Sequence, residues 1–278
     1  MMYFEECEKN KKYFEDDIIY HYTKFETAIE MILPNRSLMF SSFKTTIDPF
    51  EKNHHSLGVW SEGNVKLPSI DKFGDNFIND IRYKEAKFLC FSKNQPNIYL
   101  SGFHVIDMSN YFKCGFFKMR MWDQYGQKNR GVCLALSKKK LIKQIKDQYS
   151  EKTIYHDDVI YSTSILSNRM YNRIKVCEDD DNKTLSEIKD RHIRENYQGM
   201  FFQKHTDWKD ENEFRVLVID ADKTNELFVD ISNCLEGIFC GVDFPEVYLN
   251  SLKSVVLDKN IDIFKLSVYD GLPGIIKK

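Results

Sequence analysis

Hydrophobic and polar positions divide the chain into short segments of differing period, and the first clear one is IIYHYT at 18–23. β-Branched and aromatic residues suit an extended strand. With a two-residue repeat, Ile19, His21 and Thr23 share one face, and Ile18, Tyr20 and Tyr22 share the other. The period then lengthens: Phe25, Ala28, Ile29 and Ile32 fall at i, i+3, i+4 and i+7, an apolar helical stripe. Thr23 and Glu26 stand at capping-box spacing, which predicts a strand running straight into a capped helix that Pro34-Asn35 ends.

Further strands are predicted at SLMFSS (37–42), KFLCFSK (87–93), VCLALS (132–137) and DDVIYS (157–162), and from about Glu211 onward. NELFVDI (225–231), EGIFCGV (236–242), SVVLD (254–258) and IDIFKLSVYD (261–270) make the last third strand-like. FKTTIDPFE (43–51) reads as a turn-rich loop, 52–86 as loop and short helix, and EDDDNK (178–183) as a solvated acidic loop. A helical stretch ends in MRMWDQYGQKNRG, where Gly126 and Gly131 break the pattern. Ser137 is placed to cap the basic helix KKKLIKQIKDQY. Thr184 and Glu187 form a second capping box, ahead of a helix that buries Ile193, Tyr197, Met200 and Phe201. With neither an internal repeat nor a Pro/Gly/Ser linker, residues 1–278 read as one α+β domain of mixed or antiparallel sheets with flanking helices. An N-terminal extension (1–17) precedes a motif-bearing core at about 18–244.

Composition narrows the function classes. Forty Lys and Arg against 42 Asp and Glu leave a nearly neutral field, which argues against a dedicated polyanion coat or membrane-surface protein. The seven cysteines form no CxxC pair, so a disulfide framework or zinc ribbon is not expected. The first residues lack an apolar signal core and no apolar run is long enough to span a bilayer, so a cytoplasmic protein without membrane contact is expected.

The strand near 211–219 carries the first candidate chemistry. Phe214, Val216 and Val218 alternate with Glu211, Glu213, Arg215, Leu217 and Ile219, so one face opens with two carboxylates and a guanidinium. This is either a solvated strand end in which Arg215 pairs with a glutamate, or half of a site whose partner lies elsewhere. His21 is the candidate partner; Thr23 has an N-cap role besides. His54-His55 point apart in extended chain and lack a third ligand, so no metal is expected. His205-Thr206-Asp207-Trp208 lacks a paired nucleophile. Cys90, Cys133 and Cys240 lie in apolar strands, where buried, inert thiols are the rule. The lysines at 138–146 form a solvated helix face whose first functional reading is nucleic-acid contact.

YHYT before a helix, then LMFSS, Asp48-Pro49-Phe50-Glu51, MWDQYG (121–126), GVCL (131–134) and Trp208-Lys209-Asp210-Glu211-Asn212-Glu213-Phe214-Arg215 occur in that order. Together they resemble a bacterial domain-of-unknown-function family, number 2971, over about 18–244. More distantly, a histidine followed two residues later by threonine, at a strand end entering a helix, is similar to the first motif of the ADP-ribosyltransferase superfamily. The likeness is to its His-Tyr-Glu branch, which includes the DarT-type toxins. This resemblance implies a split sheet and NAD⁺ as substrate. His21 and Thr23 would match the first motif, with Glu213 as the catalytic glutamate and Glu211 its rival. Tyr22, Ser41, Trp122, Tyr125 and Arg215 would join His21 and Thr23 in binding NAD⁺, with Lys44 an alternative to Arg215 at the pyrophosphate. The middle-motif aromatic is left between Tyr125 and Trp122.

The implied reaction breaks the nicotinamide–ribose bond through an oxocarbenium-like transition state, which a carboxylate stabilises more than the ground state. ADP-ribose would pass to nucleic acid, protein or water. A role as an anti-phage, abortive-infection toxin with a trigger or neutralising partner follows from the same likeness. The alternative is a non-catalytic nucleotide- or nucleic-acid-binding domain in a bacterial defence or regulatory system. The first reading requires His21 and Glu213 to meet at one cleft; the second is favoured if Arg215 engages Glu213.

Overall fold

The alternation in IIYHYT is realised as strand β1 (Ile18–Thr23): Ile19 enters one hydrophobic core, while Ile18, Tyr20 and Tyr22 enter a second on the opposite face. In this computed structural model, residues 10–52, 58–61, 77–96, 108–163, 173–177, 180, 183–220, 226–256 and 261–278 are described. After β1 come β2 (Ser37–Met39), β3 (Ser41–Ser42), β4 (Gly58–Ser61), β5 (Ala86–Lys93), β6 (Val132–Ser137) and β7 (Thr153–Asp158). They are followed by β8 (Ile160–Ser162), β9 (Arg173–Val176), β10 (Gln203–His205) and β11 (Glu213–Ile219). β12 (Phe228–Asp230), β13 (Leu235–Cys240), β14 (Asp262–Tyr269) and β15 (Leu272–Lys277) complete the series.

One open, mixed sheet organises the α+β fold, in the order β15-β14-β13-β6-β1-β5-β11-β7, with β3 also paired to β5. Within it only β13 and β14 run parallel. Helices Lys138–Gln148 and Leu185–Phe201 flank it; Ser137 caps the first and the Thr184–Glu187 capping box starts the second, as their spacing predicts. The sheet continues beyond residue 244 through β14 and β15. In the described part of the N-terminal segment, Tyr13 is fully enclosed and its hydroxyl donates to the Glu236 carbonyl at 2.8 Å, so this part is built into the core.

Several local expectations are revised. Thr23 stays in β1, opposite Val132, and the helix that follows starts at Phe25 without a Thr23 cap. Gln127 does that work from a distant loop: its Oε1 accepts from the Phe25 N–H at 3.3 Å, and its Nε2 donates to Glu26 at 3.0 Å. SLMFSS breaks at Phe40, because β2 pairs with β12 whereas β3 joins β5 in the main sheet. Of SVVLD, residues 254–256 do not form a strand, and 257–258 lie outside the described residues. Ser254 closes helix Leu249–Ser254, whose Leu252 packs with Val256 in the first core, so helical spacing overrides β-branched propensity. The EDDDNK expectation fails at Asp180, which is buried and accepts from Arg191 Nη1 at 2.6 Å; residues 178–179 and 181–182 lie outside the described residues.

Candidate functional site

A gap in the sheet creates the site. On the edge facing β1, β5 pairs through Lys93 and Ser92 with Ile19 and Tyr20, then through Phe88 and Lys87 with Ser41 and Ser42 of β3. Leu89, Cys90 and Phe91 lie between these two ladders and line a cavity of about 210 Å³. His21, just past the last β1–β5 pair, reaches across the opening: its Nδ1 lies 3.3 Å from the Cys90 carbonyl oxygen. A carbonyl only accepts, so this nitrogen carries the hydrogen and Nε2 is the free acceptor. Burial lowers the His21 pKa below its ordinary value, so the ring is neutral.

The opposite wall comes from the segment leading into β11. A short 3₁₀ helix, Thr206–Glu211, ends at Asn212, whose left-handed φ of 46° turns the chain into the strand at Glu213. Glu211 is therefore the end of a helical turn rather than part of the strand's alternation, yet both glutamates line the cavity. The solvated-strand-end reading is overturned: Glu211, Glu213 and Arg215 are all buried, Arg215 completely.

These side chains form a continuous ionic network. Arg215 Nε donates to Glu213 Oε1 at 2.7 Å and its Nη2 to Glu51 Oε1 at 2.8 Å, while Nη1 bonds to the Phe201 carbonyl. Lys204 Nζ donates to Glu211 Oε2 at 2.7 Å and stands 2.8 Å from Glu213 Oε2, an ion-pair contact without hydrogen-bond alignment. The Tyr125 hydroxyl donates to Glu211 Oε1 at 3.0 Å, and Thr46 to Glu51 Oε2 at 3.0 Å. Burial alone would raise the Glu213 pKa, but Arg215 and Lys204 hold it down at about 2. Glu211 moves the other way, raised by burial and by the neighbouring Glu213 charge against the pull of Lys204.

The predicted site residues separate into two groups. His21, Tyr22, Ser41, Tyr125, Glu211 and Glu213 line the cavity. Thr23 is buried in the β1–β6 ladder, and Arg215 stands behind Glu213 and Glu51. Trp122 is fully enclosed, packed edge-on against Tyr22 at 5.0 Å with its indole N–H on the Phe116 carbonyl, so it forms core rather than cavity wall. Lys44 is exposed and outside the lining. His54-His55 lie outside the described residues. Among the described residues, no group of three or more His, Cys, Asp or Glu is arranged to hold a metal ion. Cys133 and Cys240 are buried in the core, whereas Cys90 borders the cavity, its thiol pKa raised by burial and by Glu213.

Sequence reasoning missed Lys204 and the role of Glu51. Glu51 stood in the quoted DPFE segment, but nothing local shows that its partner is Arg215. Lys204 has no distinguishing local signal; only the fold brings it between two glutamates.

An open mixed sheet interrupted by a carboxylate-lined cavity defines the class of this α+β protein. Residues 121–216 match the family model described as Protein of unknown function (DUF2971). That span contains Tyr125, Lys204, Glu211, Glu213 and Arg215; His21, Ser41 and Glu51 lie before it. No curated protein and no solved structure matches the chain. Among the described residues, no helix is long and apolar enough to cross a membrane.

Proposed function

We propose that the cavity takes the nicotinamide–ribose end of NAD⁺ and that the protein cleaves the bond between them, passing ADP-ribose to nucleic acid, protein or water. The observation that carries this reading is the convergence of His21 and Glu213 on one cavity at a gap in the sheet, from strands separated by β5. At about 210 Å³ the cavity falls below the roughly 300–1,000 Å³ of pockets that enclose a whole drug-sized ligand, so one ring-sized end of the dinucleotide enters it.

The neutral His21 ring, held through Nδ1, offers Nε2 to a ribose hydroxyl. Glu213 is ionised at neutral pH and faces the cavity, where it stabilises positive charge developing at the anomeric carbon. As the C1′–N bond breaks, its electron pair leaves with nicotinamide; the acceptor oxygen then bonds to C1′ and loses its proton. Tyr125 supplies an aromatic wall in place of the enclosed Trp122.

One observation favours a second reading, a non-catalytic domain binding a nucleotide or nucleic acid: the 2.7 Å bond to Arg215 already occupies one oxygen of Glu213. Nicotinamide release from NAD⁺, with and without nucleic acid and lysate protein, separates the two. The catalytic reading expects release by the wild-type protein and its loss in folded His21→Ala and Glu213→Gln variants. NAD⁺ binding without release under any condition would establish the second reading.

A further inference from the structure

Strand β7 forms one edge of the main sheet, and among the described residues it pairs only with β11. In an antiparallel pair, residues alternate between bonding their neighbour and turning both backbone groups away from it. The Val159 N–H donates to the Glu213 carbonyl at 2.9 Å, which fixes the phase: Thr153, Tyr155 and Asp157 bond to β11, while Ile154, His156 and Asp158 present their backbone outward. Asp158 is closed off, its N–H held by Asp157 Oδ1 at 2.8 Å and its carboxylate paired with Lys93. Ile154 and His156, both half-exposed, leave an open stretch of edge. An edge of this kind pairs with another strand unless it is covered.

The two flanks of this edge differ in chemistry. On one, helix Lys138–Gln148 presents Lys138, Ile142 and Lys146 along a single side. Lys138 Nζ sits 4.3 Å over the Phe214 ring, which lies 6.3 Å from the His156 ring. Burial lowers the His156 pKa first, and the charges of Lys146 and Lys138 lower it further, so both ammonium groups stand beside the open edge. Among the described residues neither lysine has an ion-pair partner. On the other flank Tyr155 stacks on Tyr197 at 4.3 Å, with Arg194 and Asp190, of opposite sign, close by. Unpaired positive charge on one side and aromatic surface on the other suit an extended segment that alternates acidic and apolar residues. A nucleic acid would satisfy the lysines but brings no backbone ladder to the edge, so the open strand favours a polypeptide.

We propose that the β7 edge docks an extended, acidic segment of a partner protein, which adds as an antiparallel strand with its carboxylates toward Lys138 and Lys146. In that pairing the partner residues opposite Ile154 and His156 lie on the lysine flank and direct their own N–H groups at β7. The surface lies on the far side of β11 from β5 and its gap, so it stands whether or not the cavity is catalytic.

The test measures fluorescence anisotropy of a short labelled peptide of alternating Glu and Val with the full chain. Saturable binding is expected. It should be lost when the glutamates are N-methylated, because their N–H groups face β7, and kept when the valines are. A peptide with Lys in place of Glu should bind about tenfold more weakly, and Lys146→Glu, at an exposed position, should weaken binding of the acidic peptide about fivefold. Absence of binding by the acidic peptide, binding that survives methylation of its glutamates, or equal affinity for the Lys-containing peptide would each overturn the proposal. A single-stranded oligonucleotide that binds where the acidic peptide does not would also overturn it, assigning the lysines to nucleic acid.

Discussion

Arg215 Nη2 donates to Glu51 Oε1 at 2.8 Å across 164 residues of sequence. This bond ties β11, the strand next to the β7 edge of the sheet, to the short helix Pro49–Lys52 beside the cavity, so the same guanidinium that orients Glu213 also anchors the rim. Arg82 reinforces the anchor by donating to the Glu51 carbonyl at 3.3 Å.

Glu51→Ala should therefore act at a distance. It leaves the fully buried Arg215 half paired, and removing one partner of a buried ion pair costs about 3–5 kcal/mol. Urea unfolding of the variant is the check. Glu51→Gln, which keeps an acceptor oxygen, should lose clearly less, and equal losses would show that charge rather than hydrogen bonding dominates the anchor.

Glu213 should make the protein acid-sensitive. Its folded pKa of about 2 lies below the ordinary carboxylate value, so its contribution is present above that ordinary value and disappears as pH falls toward about 2. Denaturant titrations at stepped pH should show stability falling through this window in the wild type. Glu213→Gln should flatten the fall, and an unchanged slope would remove Glu213 from the ionic network.

Glu211 has the opposite sign. Its pKa is raised in the folded state, so the protonated form is favoured there and stability is lost as pH rises from its ordinary value through the raised one. Lys204, Glu213 and Tyr125 are the titratable groups that face it. Glu211→Gln should gain on the wild type as pH increases across that interval. A variant that loses ground with increasing pH would show that Lys204 outweighs burial.

The histidine makes a spectroscopic prediction. Nitrogen NMR of His21 should show a ring hydrogen-bonded at Nδ1 and a titration midpoint below the ordinary 6.5. A midpoint at or above that value would mean that burial does not govern the ring, because the bond to the Cys90 carbonyl by itself pulls the pKa up.

Trp122 is expected to matter for stability alone. Its side chain is fully enclosed, and a Cβ on Gly126 would lie 2.5 Å from Trp122 Cε3, so the glycine break exists to let the indole pack. Trp122→Ala should cost about 3–5 kcal/mol. Trp122→Phe, if folded, should bind ligands at the cavity as the wild type does, which calorimetry measures.

Local pattern alone determined a good part of this molecule. Two-residue alternation in IIYHYT assigned Ile19 to one core and Tyr20 and Tyr22 to the other, and the Ser137 cap and Thr184–Glu187 capping box followed from spacing. Such features depend on contacts within a few residues, which the chain order already contains. Tertiary structure decided the rest. It broke SLMFSS between two sheets, closed a helix at Ser254 and a turn at Val255 and Val256 where a strand was expected, and gave the Phe25 N–H its cap from Gln127. It also chose the members of the site, setting Lys204 between Glu211 and Glu213, bringing Glu51 to Arg215 and withdrawing Trp122 into the core. Periodicity records which side of an element is buried; which charges meet there is set by strand order and register, through contacts between residues far apart in the chain.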